Sequence, residues 1–291
     1  MSYSRPKTSI CSVVLAFFAS LLLFPLTVEA TSIVVITTRH GIVIGADGKI
    51  TLTNPGSERR PRSAGTRTKI VLVKNRIAVA QCGVESIGNG AVTPYSFDSL
   101  VEYLQSNTSP RVDVTELVVV IKRKLSQMFE GFDVMLKAGR LRRTDLPSPE
   151  DTLLQLYVAG YEHGQPLAYT VRLDIDWAAL QLKEPVESTI YPNPVRKNIC
   201  ITWTGGSEHG IIELASGVVT DGTRNAVKTM PIGLKALREG QDIPLGQTLA
   251  LARGLLDLEV SSNPDTVGYP LTIFTIRQSG SKKHTYSDQR H

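Results

Sequence analysis

Short apolar runs separated by polar turns fill the first third of the chain. Their length and β-branched composition are typical of strands. Lys74-Asn75, between the third and fourth runs, is a hairpin signal. Residues 53–67 are rich in Pro, Gly, Ser and Arg and predict a loop. The strands predicted here are residues 31–36, 41–46, 69–73 and 76–82.

The apolar period changes to that of a helix in the middle of the chain. Within residues 114–129, Ile121 and Leu125 recur on one face, and either Asp113 or Thr115 can cap the start. The other predicted helices are residues 96–104, 211–215 and 245–260, and the later strands are residues 153–159, 167–174, 199–203 and 271–276. Because strands and helices are segregated, the pattern predicts an α+β fold rather than an alternating parallel sheet.

The amino terminus has the order of a cleavable secretory signal peptide. Arg5 and Lys7 precede an apolar run at 13–26, and the small residue Ala30 follows. The run is shorter than the roughly 20 residues of a bilayer span. We therefore expect cleavage after Ala30, with Thr31 as the new amino terminus of a secreted or periplasmic protein; an uncleaved membrane anchor is the alternative. The predicted division is a signal peptide at 1–30, one domain at 31–278 and a polar, disordered tail at 279–291.

Charge, histidine spacing and cysteine content bear on which partners and cofactors can be expected. A formal net charge of +5 over 291 residues is too weak a bias to indicate nucleic-acid binding, and no groove-reading motif accompanies it. The histidines show no metal-ligand spacing, so we expect neither a metal nor a cofactor. Cys82 and Cys200 remain after cleavage; either a disulfide joins them, as export permits, or both are buried thiols.

A threonine at the mature amino terminus can carry out nucleophilic catalysis. Its hydroxyl is the nucleophile, and its own α-amino group, with an unperturbed pKa of about 7.7–8.0, can accept the hydroxyl proton. Thr31 is a weak indication by itself, because some residue must follow every cleavage site. The sequence that follows it makes the indication stronger.

From Thr31 onward the sequence resembles the opening of proteasome β-subunits and their bacterial relatives, which are amino-terminal-nucleophile (Ntn) hydrolases. The β-branched strand and Gly-containing turn lead to Ala-Asp-Gly-Lys-Ile-Thr at 46–51, where the family has a segment of the Ala-Asp-Ser-Arg-Ala-Thr type. Lys69 opens a strand and Gly83 ends a hairpin, as in the family; the later elements match in order and pattern only. The resemblance implies a four-layer αββα sandwich and an exported threonine hydrolase that cleaves amide bonds, above all peptide bonds.

The resemblance also assigns roles to individual residues. Thr31 would attack a carbonyl carbon, and the ammonium of Lys69 beside it would disfavour protonation of the α-amine. Asp47 would pair with Lys69, and the N–H of Gly83 would donate to the developing oxyanion. Taken singly, each position has a plainer interpretation: Asp47 can begin a turn, Lys69 can be a solvated strand end, and Gly83 can serve backbone shape alone.

Four further positions are implied less directly. Thr51 corresponds to the residue whose backbone lies beside an extended substrate, and Lys49 stands where the family often has Arg. Ser207 and Asp265 correspond to groups that surround the α-amine. The Ser-Gly-Ser type turn of the family is Thr-Gly-Gly-Ser here, and the Ser of its Asp-x-x-Ser-Gly segment is missing after Asp265. We therefore expect fewer hydrogen bonds around the α-amine than the family pattern provides.

Three functions fit these residues. The chain can be a peptidase, an amidase or acylase acting on small amides, or a non-catalytic exported subunit that acts in assembly or binding. Inactive subunits of the family usually lose the Thr, Asp or Lys that this chain keeps. The expected partners are a peptide or amide substrate and further copies of the chain, because family members often form rings. Contact with a membrane is expected only through the signal peptide before cleavage.

Overall fold

The structure is a computed structural model. It describes residues 26–29, 32–52, 62–87, 95–139, 141, 143, 151–190, 199–204, 235, 239, 241–265 and 267–287. Thr31, Ser207 and the predicted helix at 211–215 lie outside these residues.

Strands provide most of the described secondary structure. In chain order they are β1 (Leu26–Glu29), β2 (Ile33–Thr38), β3 (Gly41–Asp47), β4 (Lys49–Leu52), β5 (Arg62–Thr66), β6 (Ile70–Val73), β7 (Ile77–Ile87), β8 (Tyr95–Ser96), β9 (Thr152–Glu162), β10 (Gln165–Asp176), β11 (Gln181–Leu182), β12 (Val186–Ile190), β13 (Ile199–Thr204), β14 (Leu271–Arg277) and β15 (Gly280–Tyr286). The helices are α1 (Phe97–Asn107), α2 (Val114–Met128), α3 (Phe132–Lys137) and α4 (Leu245–Ser262).

The strands form two large antiparallel sheets. Sheet A has the order β1-β7-β9-β10-β11, with β6 and β8 also on β7 and β12 also on β10. Sheet B has the order β13-β2-β3-β14-β15, and β4 pairs with β5 in a separate ribbon. The predicted α+β fold class is thus confirmed at this level: helices combine with antiparallel sheets instead of alternating with parallel strands.

Three apolar clusters join these elements. Leu117 of α2 and Val158 of β9 belong to a cluster that packs α1–α3 on sheet A. Ile44 of β3 and Ala80 of β7 belong to a second cluster, between the two sheets. Leu255 of α4 belongs to a third, on the other face of sheet B. The strands β2 and β3 are therefore buried on both faces, which explains why their sequences are continuous apolar runs and not alternating ones.

The turn between β6 and β7 has the predicted chemistry. Lys74 and Asn75 have φ values of 51° and 57°, the left-handed conformation that both central residues of a type I′ hairpin turn require. Because this turn fixes the register of the hairpin, Ile70 lies opposite Ala80. Lys69 is thereby held at a defined point along β7.

Three segments that the sequence marked as tail, loop or leader are strands in the structure. Residues 280–286 of the predicted disordered tail form β15, which pairs with β14 over its whole length. Lys282 and Lys283 of β15 are exposed charges of the kind that guard a sheet edge. Residues 62–66 of the predicted loop form β5, and residues 26–29 of the predicted signal peptide form β1. In each case a partner strand supplies hydrogen bonds that local polarity does not reveal: the preceding strand for β15 and β5, and a distant strand for β1.

The described helices include none that is both long enough and apolar enough to cross a membrane.

The start of α2 gives a test of the fold. Asp113 is its N-cap, and the carboxylate accepts a hydrogen bond from the N–H of Glu116 at 2.8 Å. We expect Asp113→Ala to lower the free energy of unfolding by about 1 kcal/mol, since an N–H of the first turn loses its acceptor. Asp113→Asn keeps an acceptor oxygen and should cost clearly less. Urea denaturation of the three proteins measures the difference, and equal losses in both variants would contradict the cap.

Candidate functional site

A buried ion pair lies where β3 ends and β6 begins. The ammonium of Lys69 is 3.2 and 3.3 Å from the two carboxylate oxygens of Asp47. The side chains are 3% and 0% exposed, respectively. This burial rules out the interpretation of Lys69 as a solvated strand end. The structure therefore brings together two of the residues that the sequence placed in the active site.

Main-chain donors complete the surroundings of the Asp47 carboxylate. One oxygen accepts the N–H of Ser32 at 2.9 Å. The other accepts the N–H of Lys49 at 3.2 Å and that of Gly268 at 3.3 Å. The main chain of Asp47 also donates to the carbonyl of Ser32 at 3.2 Å. One carboxylate thus fixes four segments: the start of β2, the end of β3, the approach to β6 and the loop before β14.

Burial raises the pKa of the Asp47 carboxyl above its ordinary value, although Lys69 and the N–H groups of Ser32 and Gly268 act in the opposite direction. The folded protein therefore holds this proton more tightly than the unfolded chain does. As the pH rises from the unfolded pKa of about 3.9 through the raised native pKa, ionisation of Asp47 lowers the free energy of unfolding. Above the native pKa, Asp47 causes no further change in that free energy.

Gly83 lies in β7 at a position that only glycine fits. Its φ is +98°, and a Cβ atom there would stand 2.6 Å from the carbonyl oxygen of Leu153. Backbone shape alone thus explains a glycine here. Its place in the sheet is more specific, since Gly83 lies opposite Leu154 of β9 on one edge of β7 and opposite Glu29 of β1 on the other.

The chain on both sides of residue 31 converges on the ion pair. β1 runs antiparallel to β7 and ends with Glu29 opposite Gly83. Two residues earlier in β7, the N–H of Gln81 donates to the carbonyl of Lys69 at 3.2 Å. Downstream of the junction, Ser32 donates to Asp47. Glu29 therefore lies opposite a residue two positions along β7 from the partner of Lys69, and Ser32 contacts Asp47 directly.

The remaining predicted site residues are placed differently. The N–H of Lys49 reaches Asp47, but its ammonium donates to the carbonyl of Pro264 at 2.5 Å. Thr51 lies in β4, with its backbone opposite Ser63 of β5. Asp265 is exposed in the turn before β14. From that loop it is Gly268 whose N–H contacts Asp47. Ser207 and the side chain of Cys200 lie outside the described residues, so their roles stay predictions.

Two participants were missed by the sequence reasoning. The N–H of Gly268 contacts a residue 221 positions away, and no local signal could have revealed that contact. Ser32 contributes its N–H, and its hydroxyl is fully buried without a hydrogen-bond partner among the described residues. A polar residue at the head of an apolar strand was the available signal for Ser32. Within the described ranges, no group of His, Cys, Asp and Glu is arranged to hold a metal ion.

Disrupting the ion pair should reveal its energetic coupling. We expect Lys69→Met to lower the free energy of unfolding by about 3–5 kcal/mol, because the buried Asp47 carboxylate loses its counter-charge. Asp47→Asn should cost a similar amount, since an amide has one acceptor oxygen for donors that now bind two. The double variant should cost less than the sum of the single losses. Chemical denaturation of all four proteins tests this, and strictly additive losses would show that the pair is not coupled.

The titration of Asp47 gives an independent test. In the native protein its carboxyl should titrate above 3.8, the ordinary value. Removing the ammonium with Lys69→Met should raise the midpoint further, because Lys69 lowers this pKa. Carbon-13 NMR of the labelled carboxyl measures both midpoints, with Asp47→Asn identifying the resonance. A midpoint that falls or stays constant in Lys69→Met would contradict the electrostatic account.

The chain matches no protein-family model, and no curated protein gives a significant match.

Proposed function

We propose that the protein is an exported Ntn threonine hydrolase that cleaves peptide bonds with Thr31 as its nucleophile. The observation that carries the proposal is the contact of Ser32, the residue after Thr31, with Asp47 of the buried Asp47–Lys69 pair. Consecutive Cα atoms are about 3.8 Å apart, so the residue before Ser32 would be carried close to the ion pair.

The packing of the described elements supports the same proposal. The three apolar clusters join four layers in the order helices α1–α3, sheet A, sheet B and helix α4. This is the layering expected of the four-layer αββα sandwich of Ntn hydrolases, with β2, the strand that begins two residues after Thr31, inside sheet B. In this fold the nucleophile would stand at the head of a strand that is buried on both faces.

The chemistry would need no group beyond the chain. The α-amine of Thr31 would take the hydroxyl proton as the oxygen attacks the substrate carbonyl, and the N–H of Gly83 would donate to the oxyanion. The protonated amine would then return its proton to the leaving nitrogen as the amide bond breaks, leaving an acyl ester on Thr31. Water, deprotonated by the same amine, would attack that ester. The amine would then return the proton to the Thr31 oxygen as the ester bond breaks, which releases the acid and restores the hydroxyl.

In this mechanism Lys69 and Asp47 act as positioning residues. The ammonium of Lys69 would stand beside the α-amine and disfavour its protonation, which keeps the amine available as a base. Asp47 holds that ammonium in place, while its contact with the N–H of Ser32 fixes the chain directly after the nucleophile. The orientation of hydroxyl, amine and ammonium would therefore be set by one carboxylate.

The decisive experiment examines the mature amino terminus. Mass spectrometry of the exported protein should show a chain that begins with an unblocked Thr31, and an electrophile directed at amino-terminal threonine should label it. Thr31→Ser keeps a hydroxyl and should retain labelling. Thr31→Ala should abolish labelling while the circular dichroism spectrum stays unchanged, because no nucleophilic oxygen remains.

Two results would overturn the proposal. One is a mature chain that begins at another residue or carries a blocked amine. The other is labelling of Thr31→Ala that equals labelling of the unchanged protein.

A further inference from the structure

A small pocket lies at the opposite end of the two sheets from the Asp47–Lys69 pair. It opens where the β6–β7, β9–β10 and β14–β15 turns meet. β14 leads from Leu271, which is opposite Asp47, to Arg277 at the pocket, a span of about 20 Å at roughly 3.3 Å per residue. A ligand here would therefore not contact the proposed nucleophile. The residues that line the pocket include Arg76, Ile77, Tyr161, Arg277, Gln278 and Gly280.

Contacts between the three turns hold the pocket in shape without a ligand. Like the β6–β7 turn, the β9–β10 turn has two left-handed residues, His163 and Gly164, with φ values of 48° and 80°. The hydroxyl of Ser281 donates to the carbonyl of Asn75 at 3.2 Å, which joins the β14–β15 turn to the β6–β7 turn. A Cβ atom on Gly164 would stand 3.3 Å from Nε2 of Gln278, so the β9–β10 and β14–β15 turns pack together.

The two arginines at this pocket carry positive charge that no carboxylate of the described residues neutralises through an ion pair. Arg76 and Arg277 are both exposed. The neighbouring β2–β3 turn is different, because Arg39 and His40 both contact the carboxylate of Asp242 there. The uncompensated charge is therefore concentrated at the pocket.

The acidic residue beside the pocket in the sequence is directed away from it. Glu162 follows Tyr161 in β9, so the two side chains point to opposite faces of sheet A. The carboxylate of Glu162 accepts a hydrogen bond from the hydroxyl of Thr115 in α2 at 2.7 Å. This acid is thus engaged on the helix side of the sheet.

Tyr161 adds a neutral donor to the two cations. Burial raises the pKa of its hydroxyl, although the N–H of Gln278 and the charge of Arg277 act in the opposite direction. The hydroxyl is therefore protonated at neutral pH. Its oxygen accepts the N–H of Gln278, which leaves its own proton free to be donated to a ligand.

We propose that this pocket is an anion site that binds a phosphate group, either as the free ion or as a small monoester. Guanidinium groups offer paired donors that match phosphate oxygens. Two positive charges suit the charge of a phosphate group at neutral pH, about −1.5 to −2, better than the single charge of a carboxylate. The inference goes beyond the proposed function, because no group of the proposed active site takes part in it.

Calorimetric titration of the full chain with inorganic phosphate tests the site. The protein is purified in a mild neutral detergent, and sodium chloride keeps the ionic strength constant so that screening is equal throughout. We expect one saturable site with a Kd of about 1 mM or lower. Acetate should bind at least about tenfold more weakly, since it carries one charge and two oxygens.

A parallel titration with glycerol 3-phosphate identifies the source of the phosphate group. Binding of both probes supports a site that accepts monoesters as well as the free ion. Binding of inorganic phosphate alone supports a site for the free ion.

Variants of equal charge change separate the pocket from the general surface field. Arg277→Gln should weaken phosphate binding at least about tenfold, because charge-assisted hydrogen bonds are lost. Lys283→Gln removes the same charge from an exposed position of β15 that does not line the pocket, and should change the Kd less than about twofold. Arg277→Lys keeps the charge without the forked donors and should give an intermediate Kd.

Circular dichroism confirms that each variant is folded, and Arg76→Gln provides the same test on the other guanidinium if Arg277→Gln does not fold. The inference is rejected if phosphate shows no saturable binding, or if Lys283→Gln loses as much affinity as the arginine variant. Acetate binding as tight as that of phosphate would also reject it, because the site would then not select a doubly charged anion.

Discussion

The contact between Asp47 and Lys69 is the constraint on which the site depends. Removing two charges from water costs several kcal/mol per ion, and their mutual attraction compensates only when the remaining lone pairs and protons are satisfied. Here three main-chain N–H groups supply that satisfaction for Asp47. The raised pKa of Asp47 shows that compensation is incomplete. Such a pair is weak as a source of stability, but it fixes the position of every segment that donates to it.

The backbone segments around the Asp47–Lys69 pair approach each other closely. A Cβ atom on Gly48 would stand 2.6 Å from the carbonyl oxygen of Pro270. The N–H of Gly48 donates to the carbonyl of Gly268, and its own carbonyl accepts the N–H of Arg67. The loops before β6 and β14 therefore meet at one glycine that directly follows Asp47. The family resemblance has Ser at this position, but the close approach of two backbones here leaves no room for a side chain without local movement.

Much of this arrangement could be predicted from the sequence. The elements that the sequence did not predict were missed for one common physical reason. β2, β3 and the β6–β7 hairpin follow from composition and turn chemistry, and the cap at Asp113 follows from local hydrogen bonding. The Asp47–Lys69 pair followed from a resemblance in residue order. By contrast, β1 and the contact of Gly268 depend on partners that are distant in the sequence, while β5 and β15 pair with the preceding strand. Local polarity marked these segments as leader, loop and tail, because it carries no information about strand partners.

The proposed cleavage after Ala30 would have two effects in this geometry. An uncut chain would keep the nitrogen of Thr31 in an amide, which cannot accept the hydroxyl proton, and would keep β1 on the edge of β7. The two restraints are chemically independent, and removal of the leader ends both. Under this proposal, a molecule cut during export would fold without either one, whereas a molecule that escaped cleavage would fold with both in place. Hydrolytic activity would then be confined to the compartment where the leader is removed, with no separate inhibitor.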